Sequence, residues 1–473
     1  MIKNYFSRYR PRYIRSLVYM MQASEYYRQD YLRWFWRTRD FTQVEKRKTL
    51  QMTAKAIALL GTGYALAVVL LMLSVWLVLQ SSQIRIVGLV LFLVYPFILP
   101  YLLLLALGLF HLIQRPVEAR LVAQAGEMLR KHRGEKIAIA GSFGKTTMRE
   151  IVKTILSQGK KVAAPPGSYN TPLGIASFVK TLKGDEDVLI FELGEYYPDD
   201  IKKLCQFVQP EWGIITGVNE AHLERFGTLE KTRETIFELA DWLQSKPLYI
   251  NNESSFAGDR AKASHTIYDR HGAGGWKVES AETSVDGTMI KLTRGADTIT
   301  AMSRLLGLHN VGPICAAADI ASRLGLTPRQ IAEGIAGTKP FSHRLEPRTE
   351  GGIVTIDDSY NGSPDGVVAA IEFLRVLKGS RRWYVTPGLV EMGSHKEEVH
   401  RDIGRKLTDA GIEKVVLIKD SVTPYIAMEL NRGQLTCDVL WFDDMPTALK
   451  SIQTMTIPGD VILIQNDWPD QYA

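Results

Sequence analysis

Two long uncharged stretches near the start of the chain constrain its fold more than any other feature. Residues 56–79 and 86–113 contain no Asp, Glu, Lys or Arg. At about 1.5 Å per residue, a helix of either length crosses a hydrocarbon core of about 30 Å. The residues between them, 80–85, leave room only for a tight turn. A buried helix of a soluble protein is the alternative for one stretch, but the tandem pair predicts a two-helix transmembrane hairpin within residues 56–115.

Basic residues flank the two outer ends of this hairpin. Several Lys and Arg residues precede the first stretch and follow the second, whereas the turn contains only Arg85. The positive-inside rule then predicts a multi-pass protein of the cytoplasmic (inner) membrane, with both termini and everything after residue 115 in the cytoplasm. The first stretch begins too late, and is too long, for a cleavable signal peptide.

The first 55 residues are basic and aromatic, with 13 Lys and Arg against 4 Asp and Glu. The remainder of the chain is slightly acidic, so no nucleic-acid partner is predicted. Ile14, Leu17, Val18 and Met21 recur at helical spacing, which is typical of an interfacial helix on anionic lipid. The segment therefore predicts membrane lipid as a partner, either through simple anchoring or through binding of a lipid-linked substrate or partner.

A glycine-rich loop, Gly-Ser-Phe-Gly-Lys-Thr-Thr at 141–147, lies between an apolar strand at 136–140 and a helical pattern at 148–156. This context is the one in which backbone N–H groups and a helix N-terminus bind phosphate. Lys145 would reach the β- and γ-phosphates, and the Thr146 hydroxyl would ligate Mg²⁺. A strict P-loop has glycine where this chain has Ile139, so a simple Gly-rich turn is the alternative. The predicted nucleotide-binding residues are Gly141, Ser142, Gly144, Lys145, Thr146 and Thr147.

Further short strands at 188–191, 212–216 and 248–250 alternate with helical patterns, which predicts an α/β fold with a parallel sheet. Glu192 directly follows one of these strands, and His222 lies just beyond another. Open parallel sheets bind ligands at the carboxyl ends of their strands. Glu192 and His222 are therefore predicted metal ligands. Cys205, Cys315 and Cys437 have no zinc or disulfide spacing and are expected to be reduced thiols.

Seven sequence blocks occur in the order and approximate spacing of the Mur ligase family, and the chain resembles that family from residue 136 to about 465. The resemblance excludes residues 1–115, where the predicted hairpin stands in place of the family's N-terminal UDP-sugar-binding domain. The blocks are GSFGKTT, PPGSYNTPLGI (165–175), FELGE (191–195), NEAHLERFGTLE (219–230), GLHN (307–310), SHRLEP (342–347) and DDSYNGSP (357–364).

Four segments are predicted, the first two from the residues themselves and the last two from the resemblance. Residues 1–55 form the basic segment and 56–115 the hairpin, with helices at 56–79 and 86–113. Residues 116–338 form a central ATP-binding domain built on a P-loop and a parallel sheet. Residues 339–473 form a Rossmann-like C-terminal domain.

The resemblance also implies ATP and Mg²⁺ as nucleotide and cofactor, and it assigns roles to individual residues. Lys145, Glu192, His222 and Arg344 would be catalytic, with Arg344 at the γ-phosphate. Thr146, Glu192 and His222 would hold magnesium. The other implied contacts are adenine for Asn310, nucleotide for Asp358, and substrate for Asn170, Thr171, Tyr360 and Asn361.

One position departs from the family. Members generally carry a carbamylated lysine about 14 residues after the histidine, where it bridges to a second magnesium, and counting from His222 gives Ile236. An isoleucine cannot ligate a metal. The enzyme would then hold the second metal differently, work with one metal, or have weak or no activity.

The resulting prediction is a membrane-anchored ATP-dependent ligase that joins a carboxylate acceptor to an amine donor through an acyl phosphate. Its substrate is expected to be a cell-envelope or peptidoglycan precursor, possibly lipid-linked. A poly-γ-glutamate-synthase-like ligase, a P-loop kinase or ATPase, and a catalytically silent ATP-binding scaffold of wall synthesis are the alternatives. Arg344 and the DDSYN block argue against a simple kinase, whereas Ile236 favours the scaffold.

Overall fold

A computed structural model shows the fold of the chain. It describes residues 6–24, 26–42, 44–45, 49–167, 169–219, 226–360, 362–377, 381–389, 392, 395–419, 421–432 and 437–466. The chain divides into two compact units, an N-terminal unit spanning Met1–Arg120 and a C-terminal unit spanning Leu121–Asp467.

Helices account for most of the described N-terminal unit. They are a 3₁₀ turn at Phe6–Tyr9 and four α-helices, α1 (Arg12–Ala23), α2 (Arg28–Arg37), α3 (Ala54–Val78) and α4 (Ser82–Lys131). The last of these begins in this unit and continues past its boundary.

The sequence predicted a helix around Ile14, Leu17 and Val18, and α1 confirms it. Its apolar face is buried against other helices, because these side chains share a cluster with residues of α2, α3 and α4. The close approach needs a small residue on α3, since a Cβ at Gly63 would lie 2.7 Å from Cγ2 of Ile14. The apolar face of α1 therefore contacts protein and is not available to lipid.

Two prolines inside α4 explain another contact of α1. Pro100 has no N–H, so the carbonyl oxygen of Pro96 loses its donor within the helix. The hydroxyl of Tyr13 donates to that oxygen at 2.6 Å. A side chain of α1 thus supplies the hydrogen bond that the second proline removes.

The helix pair partly differs from its predicted boundaries. The first span, predicted at 56–79, is confirmed as α3. The second, predicted at 86–113, continues without a break through Pro116 into the predicted helix at 116–132. By length and composition, Ala54–Val78 and Ser82–Leu112 are able to cross a membrane, a test that the core helix of a soluble protein also passes.

The C-terminal unit contains two sheets, and the first has ten strands. In the sheet they follow the order β10-β9-β8-β7-β6-β5-β4-β1-β3-β2. The strands in chain order are β1 (Glu135–Ala140), β2 (Val162–Ala163), β3 (Val188–Glu192), β4 (Trp212–Ile215), β5 (Leu248–Asn251), β6 (Thr266–Asp269), β7 (Gly272–Ala273), β8 (Trp276–Ser284), β9 (Gly287–Arg294) and β10 (Asp297–Ser303).

The helices around this sheet fill the segments between its strands and the stretch after β10. They are α5 (Lys145–Leu156), α6 (Pro172–Val179), α7 (Asp200–Val208), α8 (Leu229–Leu243), α9 (Ser255–Gly258), α10 (Val311–Arg323) and α11 (Pro328–Gly337). A 3₁₀ turn at Leu308–Asn310 precedes α10.

Alternation along β1 shows why both faces of the sheet are covered. Ile137 and Ile139 join the apolar cluster of α5, α10 and α11, whereas Ala138 and Ala140 join that of α6, α7 and α8. Strands β1 to β6 pair in parallel, as the α/β prediction requires. The antiparallel run β7 to β10 extends the sheet and was not predicted.

The second sheet has six strands in the order β11-β12-β16-β13-β14-β15, all parallel except the edge strand β11. Its α/β character agrees with the prediction for this part of the chain. Its strands are β11 (Glu346–Glu350), β12 (Ile353–Asp358), β13 (Arg382–Thr386), β14 (Lys414–Ile418), β15 (Asp438–Phe442) and β16 (Val461–Gln465), and its helices are α12 (Pro364–Val376), α13 (Lys396–Asp409), α14 (Thr423–Arg432) and α15 (Met445–Met455).

Polar contacts join the two sheets within this unit. The Asn219 amide, beyond the end of β4, donates to the carboxylate of Asp365 in α12 at 2.8 Å. Arg270, beyond β6, pairs with Glu253 at 2.9 Å and with Glu372 of α12 at 3.0 Å. These contacts place the start of the second sheet beside the carboxyl ends of the first sheet's strands.

Candidate active site

The glycine-rich loop connects β1 to α5, as predicted. Gly141 has φ +144°, and a Cβ there would collide with the Thr216 hydroxyl, so the loop requires glycine at this position. Gly144, at φ +73°, lies at the N-cap of α5. The loop therefore presents backbone N–H groups at a helix N-terminus, which is the geometry that binds phosphate. Ser142 accepts a hydrogen bond from the Asn219 N–H at 3.3 Å, and Thr147 is half-buried in the first turn of α5.

Lys145 is buried in an ion pair that was not predicted. Its Nζ lies 2.9 Å from both carboxylate oxygens of Glu195 and also donates to the carbonyl oxygen of Gly141. The side chains of Lys145 and Glu195 are only 14% and 1% exposed. The carboxylate of Glu195 thus pairs with the ammonium group that is predicted to bind phosphate.

Glu192 ends β3 and faces the first turn of α5. The hydroxyl of Thr146 donates to its Oε2 at 3.2 Å, and its Oε1 lies 2.7 Å from Nη1 of Arg149. Burial raises the pKa of the Glu192 carboxyl above its ordinary value, and the charges of Arg149 and Lys145 oppose that shift. Thr146 and Glu192, the two predicted metal ligands that the structure describes, thus lie side by side.

The predicted acceptor loop is tied to the same strand end. The carbonyl oxygen of Asn170 accepts from the N–H of Gly194 at 3.0 Å, and Arg149 donates to the carbonyl oxygen of Gly167. Thr171 caps α6 by accepting from the N–H of Gly174 at 3.3 Å. The loop is therefore held against β3 and α5, and the hydroxyl of Thr171 contributes to helix capping.

Asn310 is buried at the end of the 3₁₀ turn that precedes α10. Its amide donates to the carbonyl oxygen of Leu306 at 2.8 Å and lies 3.1 Å from Nε2 of His309. Burial lowers the pKa of His309 to about 4, so the imidazole is neutral at pH 7. The structure places Asn310 as a structural anchor of this turn, and the implied adenine contact stays a prediction.

Arg344 lies in a turn of unusual backbone conformation. Both of its neighbours, His343 and Leu345, have positive φ, at 63° and 44°. Non-glycine residues in this region cost of the order of 1 kcal/mol or more, and such residues cluster at functional sites. The guanidinium carbon lies 4.5 Å from the centroid of the Tyr360 ring, and the charge of Arg344 acts on Glu192 of the first sheet. The turn therefore directs Arg344 toward the P-loop side.

Asp358 ends β12 beside this turn. Its carboxylate accepts from the Leu345 N–H at 3.2 Å and from the Gln465 amide at 2.7 Å. Burial raises its pKa to about 7, and Arg344 opposes that shift. The structure thus brings together three predicted residues, Arg344, Asp358 and Tyr360, that are separated along the chain.

Two predicted residues, His222 and Asn361, lie outside the described residues. Within the described ranges, no cluster of three or more His, Cys, Asp and Glu side chains is arranged to hold a metal. Magnesium prefers oxygen ligands and retains water when one or two protein groups bind it. The hydroxyl of Thr146 and the carboxylate of Glu192 fit that chemistry.

The departure at position 236 is clear in the structure. Ile236 lies on α8 and is fully buried in the apolar cluster that contains Phe237 and Leu239. Its side chain packs in the core, so position 236 contributes no metal ligand.

Glu195 and Arg149 are the site residues that the sequence analysis missed. The spacing of each residue in the sequence could have indicated it. Glu195 follows Glu192 by three residues after a buried strand, and Arg149 follows Lys145 by one helical turn. Two carboxylates beside two basic groups point to paired buried charges.

Two family models match the chain. The Mur ligase middle domain matches residues 139–321, and the Mur ligase glutamate ligase domain matches residues 343–465. The chain belongs to the Mur ligase family. This confirms the predicted ATP-dependent ligase class, which forms amide bonds and uses ATP and Mg²⁺.

Curated relatives agree with this family, and a solved structure has a similar fold. The UDP-N-acetylmuramoyl-tripeptide–D-alanyl-D-alanine ligase of Bacillus subtilis is 26% identical over 70% of this chain and 72% of its own length. The enzyme of the same name from Mycobacterium tuberculosis is 28% identical over 70% and 69%. The MurF ligase of Thermotoga maritima, solved with ADP, has a TM-score of 0.64 at 24% identity and covers 74% of this chain and 80% of its own.

The first prediction for this Mur ligase concerns the Lys145–Glu195 pair. Lys145→Ala leaves a buried carboxylate without its cation, which costs about 3–5 kcal/mol. We therefore expect Lys145→Ala to lower both the unfolding temperature and turnover. Lys145→Ala combined with Glu195→Gln should recover most of the unfolding temperature without recovering turnover.

Glu195→Gln alone provides the matched control. It keeps Lys145 and removes the competing carboxylate, so the KM for ATP should fall severalfold, and the unfolding temperature should also fall because Lys145 loses its ion-pair partner. An unchanged KM for ATP in Glu195→Gln, together with full turnover in the double variant, would contradict the assignment of Lys145 to phosphate binding.

The second prediction concerns the pH dependence of stability. Asp358 has a pKa of about 7 in the folded protein, against an ordinary value of 3.8. The folded protein therefore binds the carboxyl proton of Asp358 more tightly than the unfolded chain does. The stabilisation is complete below pH 4 and is lost as the pH rises to 7, by up to about 4 kcal/mol. The unfolding temperature of the wild type relative to Asp358→Asn should therefore fall between pH 5 and 7.5. A difference that stays constant across this range would contradict the shift.

Proposed function

We propose that this Mur ligase joins an amine to the carboxylate of a peptidoglycan or other cell-envelope precursor, and that it does so while anchored in the cytoplasmic membrane. The observation that carries the ligase chemistry is the convergence at one edge of the first sheet. Lys145, Thr146 and Glu192 meet there, and Arg344 of the second sheet acts on the same carboxylate.

The reaction needs activation because a carboxylate is a poor electrophile. Transfer of the γ-phosphoryl group of ATP to a carboxylate oxygen gives an acyl phosphate and ADP. An amine then attacks the carbonyl carbon, the C–N bond forms, and inorganic phosphate leaves. Bringing two anions together requires positive charge, and protecting the acyl phosphate requires exclusion of water.

The charged residues of the site provide the positive charge and the metal ligands that this reaction needs. Lys145 leaves Glu195 to bind the β- and γ-phosphates, and Arg344 approaches the γ-phosphate from the second sheet. Arg149 holds Glu192 toward Thr146, so that the two oxygen ligands stay together. Thr146 and Glu192 would hold Mg²⁺, which when bound neutralises part of the triphosphate charge.

The acceptor would contact the loop around Asn170. That loop is hydrogen-bonded to Gly194, next to Glu195, so the residue that holds Lys145 is adjacent to the acceptor loop. Tyr360, which is 52% exposed beside Arg344, and Asn361 would contribute on the amine side.

A membrane hairpin supports the proposal of a lipid-linked acceptor. The family models begin at residue 139, and α3 and the first part of α4 expose many large apolar side chains, among them Met72 and Ile86 at 68% and 64%. A soluble protein would bury such surfaces.

The third prediction tests the reaction. With ATP and Mg²⁺, the purified protein should release ADP over many turnovers only when both an acceptor and an amine are present. An acceptor without an amine should give at most about one ADP per enzyme, together with the acyl phosphate. Mass spectrometry should detect a product equal in mass to acceptor plus amine minus water. We expect the enzyme to convert peptidoglycan-type acceptors. Products that are γ-linked glutamate chains would instead support the poly-γ-glutamate-synthase-like alternative.

The scaffold alternative gives a different result. It is favoured by the burial of Ile236, where the family's bridging lysine is expected. ATP binding without ADP release in any acceptor–amine combination would support it, and Glu192→Ala serves as the inactive control for the assay.

The fourth prediction tests the hairpin. The protein should resist extraction from membranes by alkaline carbonate, and tags at both termini should be accessible only from the cytoplasmic side. Extraction into the soluble fraction, or a C-terminal tag on the outer side, would contradict the anchored topology.

A further inference from the structure

A cleft lies in the N-terminal unit at the end of the two apolar helices. Its volume is about 860 Å³, within the range of small-molecule sites. The lining residues come from the end of α1, the segment before α3 and the first turn of α3. They are Tyr19, Gln22, Ala23, Tyr26, Thr49, Gln51, Thr53 and Lys55.

The cleft has a cation at its wall. Lys55 is the one charged side chain among the described lining residues. Its Nζ lies 3.9 Å from the centroid of the Tyr26 ring and 2.8 Å from Nε2 of His111. A tyrosine ring and an imidazole hold the ammonium group in place, and the negative charge of Glu118 also acts on it.

The wall around Lys55 is ordered by its own contacts. Gln22 and the backbone of Gln51 exchange two hydrogen bonds of 2.8 Å, which fix α1 to the segment before α3. Tyr26 adopts φ 63°, a conformation that bulky residues rarely take. The ring under Lys55 is therefore held by a specific backbone arrangement.

The position of Lys55 sets the chemistry of the occupant. It lies in the first turn of α3, and His111 lies in the last turn of the apolar part of α4. Their contact places the cleft where both helices leave the apolar stretch. Exposed apolar side chains continue from this end, at Ile57 and Leu112.

Among the described residues, Lys55 supplies the positive charge of the cleft. Lys46, Arg47 and Lys48 directly precede the lining residue Thr49 in the sequence, and they lie outside the described residues. Basic pockets at the cytoplasmic ends of membrane helices bind phosphate headgroups.

We propose that this cleft binds the phosphate headgroup of an anionic lipid, with its acyl chains along the exposed apolar faces of α3 and α4. The inference rests on the proposed membrane anchoring. It adds a lipid site in the N-terminal unit that contains none of the ligase residues.

The experiment is a lipid titration of the delipidated full-length protein, followed by native mass spectrometry. The probes are phosphatidylglycerol and phosphatidylcholine with the same acyl chains. Wild type should prefer phosphatidylglycerol, and Lys55→Gln should lose about fivefold of that preference, the contribution of one basic side chain near an anionic surface. Lys55→Arg should retain the preference.

Two further variants complete the test. Arg85→Gln removes one charge at the opposite end of the hairpin and should leave the preference unchanged. Thr49→Trp fills the cleft from an exposed position, keeps every charge, and should weaken phosphatidylglycerol binding even if Lys55→Gln folds poorly.

The proposal is overturned if Lys55→Gln and Thr49→Trp both bind phosphatidylglycerol like the wild type, or if Arg85→Gln loses as much preference as Lys55→Gln. Displacement of the lipid by millimolar inorganic phosphate would also overturn it, because the site would then take a soluble anion. Carbonate extraction of membranes that contain the wild-type protein separates the two proposals. A membrane-retained protein without lipid preference refutes this inference alone, whereas an extracted protein refutes the anchoring.

Discussion

Two buried ion pairs tie the start of α5 to the end of β3, and the arrangement of the site depends on them. Lys145 pairs with Glu195, and Arg149 pairs with Glu192. Charges removed from water need a partner, so none of these four side chains can move alone without a large cost. The pairs hold the phosphate-binding loop, the acceptor loop and two of the predicted metal ligands, Thr146 and Glu192, in one group. When a nucleotide binds, Lys145 must therefore exchange the carboxylate of Glu195 for a phosphate group.

Much of the C-terminal unit could be predicted from the sequence because local patterns determine it. The glycine loop, the apolar strands and the helical periodicity are features of neighbouring residues, and the structure places them as expected. The antiparallel strands β7 to β10 were missed although β10 alternates buried and exposed residues. The pairing of Lys145 with Glu195 could not be read from either residue, because it depends on how β3 and α5 meet in space.

The N-terminal unit shows the same division between local and tertiary information. Length and composition located both apolar helices, but the sequence did not show that α4 continues through Pro116. The contact of Tyr13 with the carbonyl of Pro96 gives one physical reason why prolines are tolerated there. The periodicity of α1 predicts an interfacial helix whose apolar face contacts lipid. In the structure, other helices bury that face. Amphipathic periodicity identifies a buried face without identifying what covers it.

The central claim is that a carboxylate is activated by phosphoryl transfer at the Lys145 site. An acceptor labelled with ¹⁸O in its carboxylate tests this most directly, because the oxygen that attacks the γ-phosphorus stays with phosphate when the amine displaces it. The account predicts one ¹⁸O atom in each inorganic phosphate released by the wild type. Phosphate without the label would show that water attacks ATP, and would contradict the acyl-phosphate mechanism.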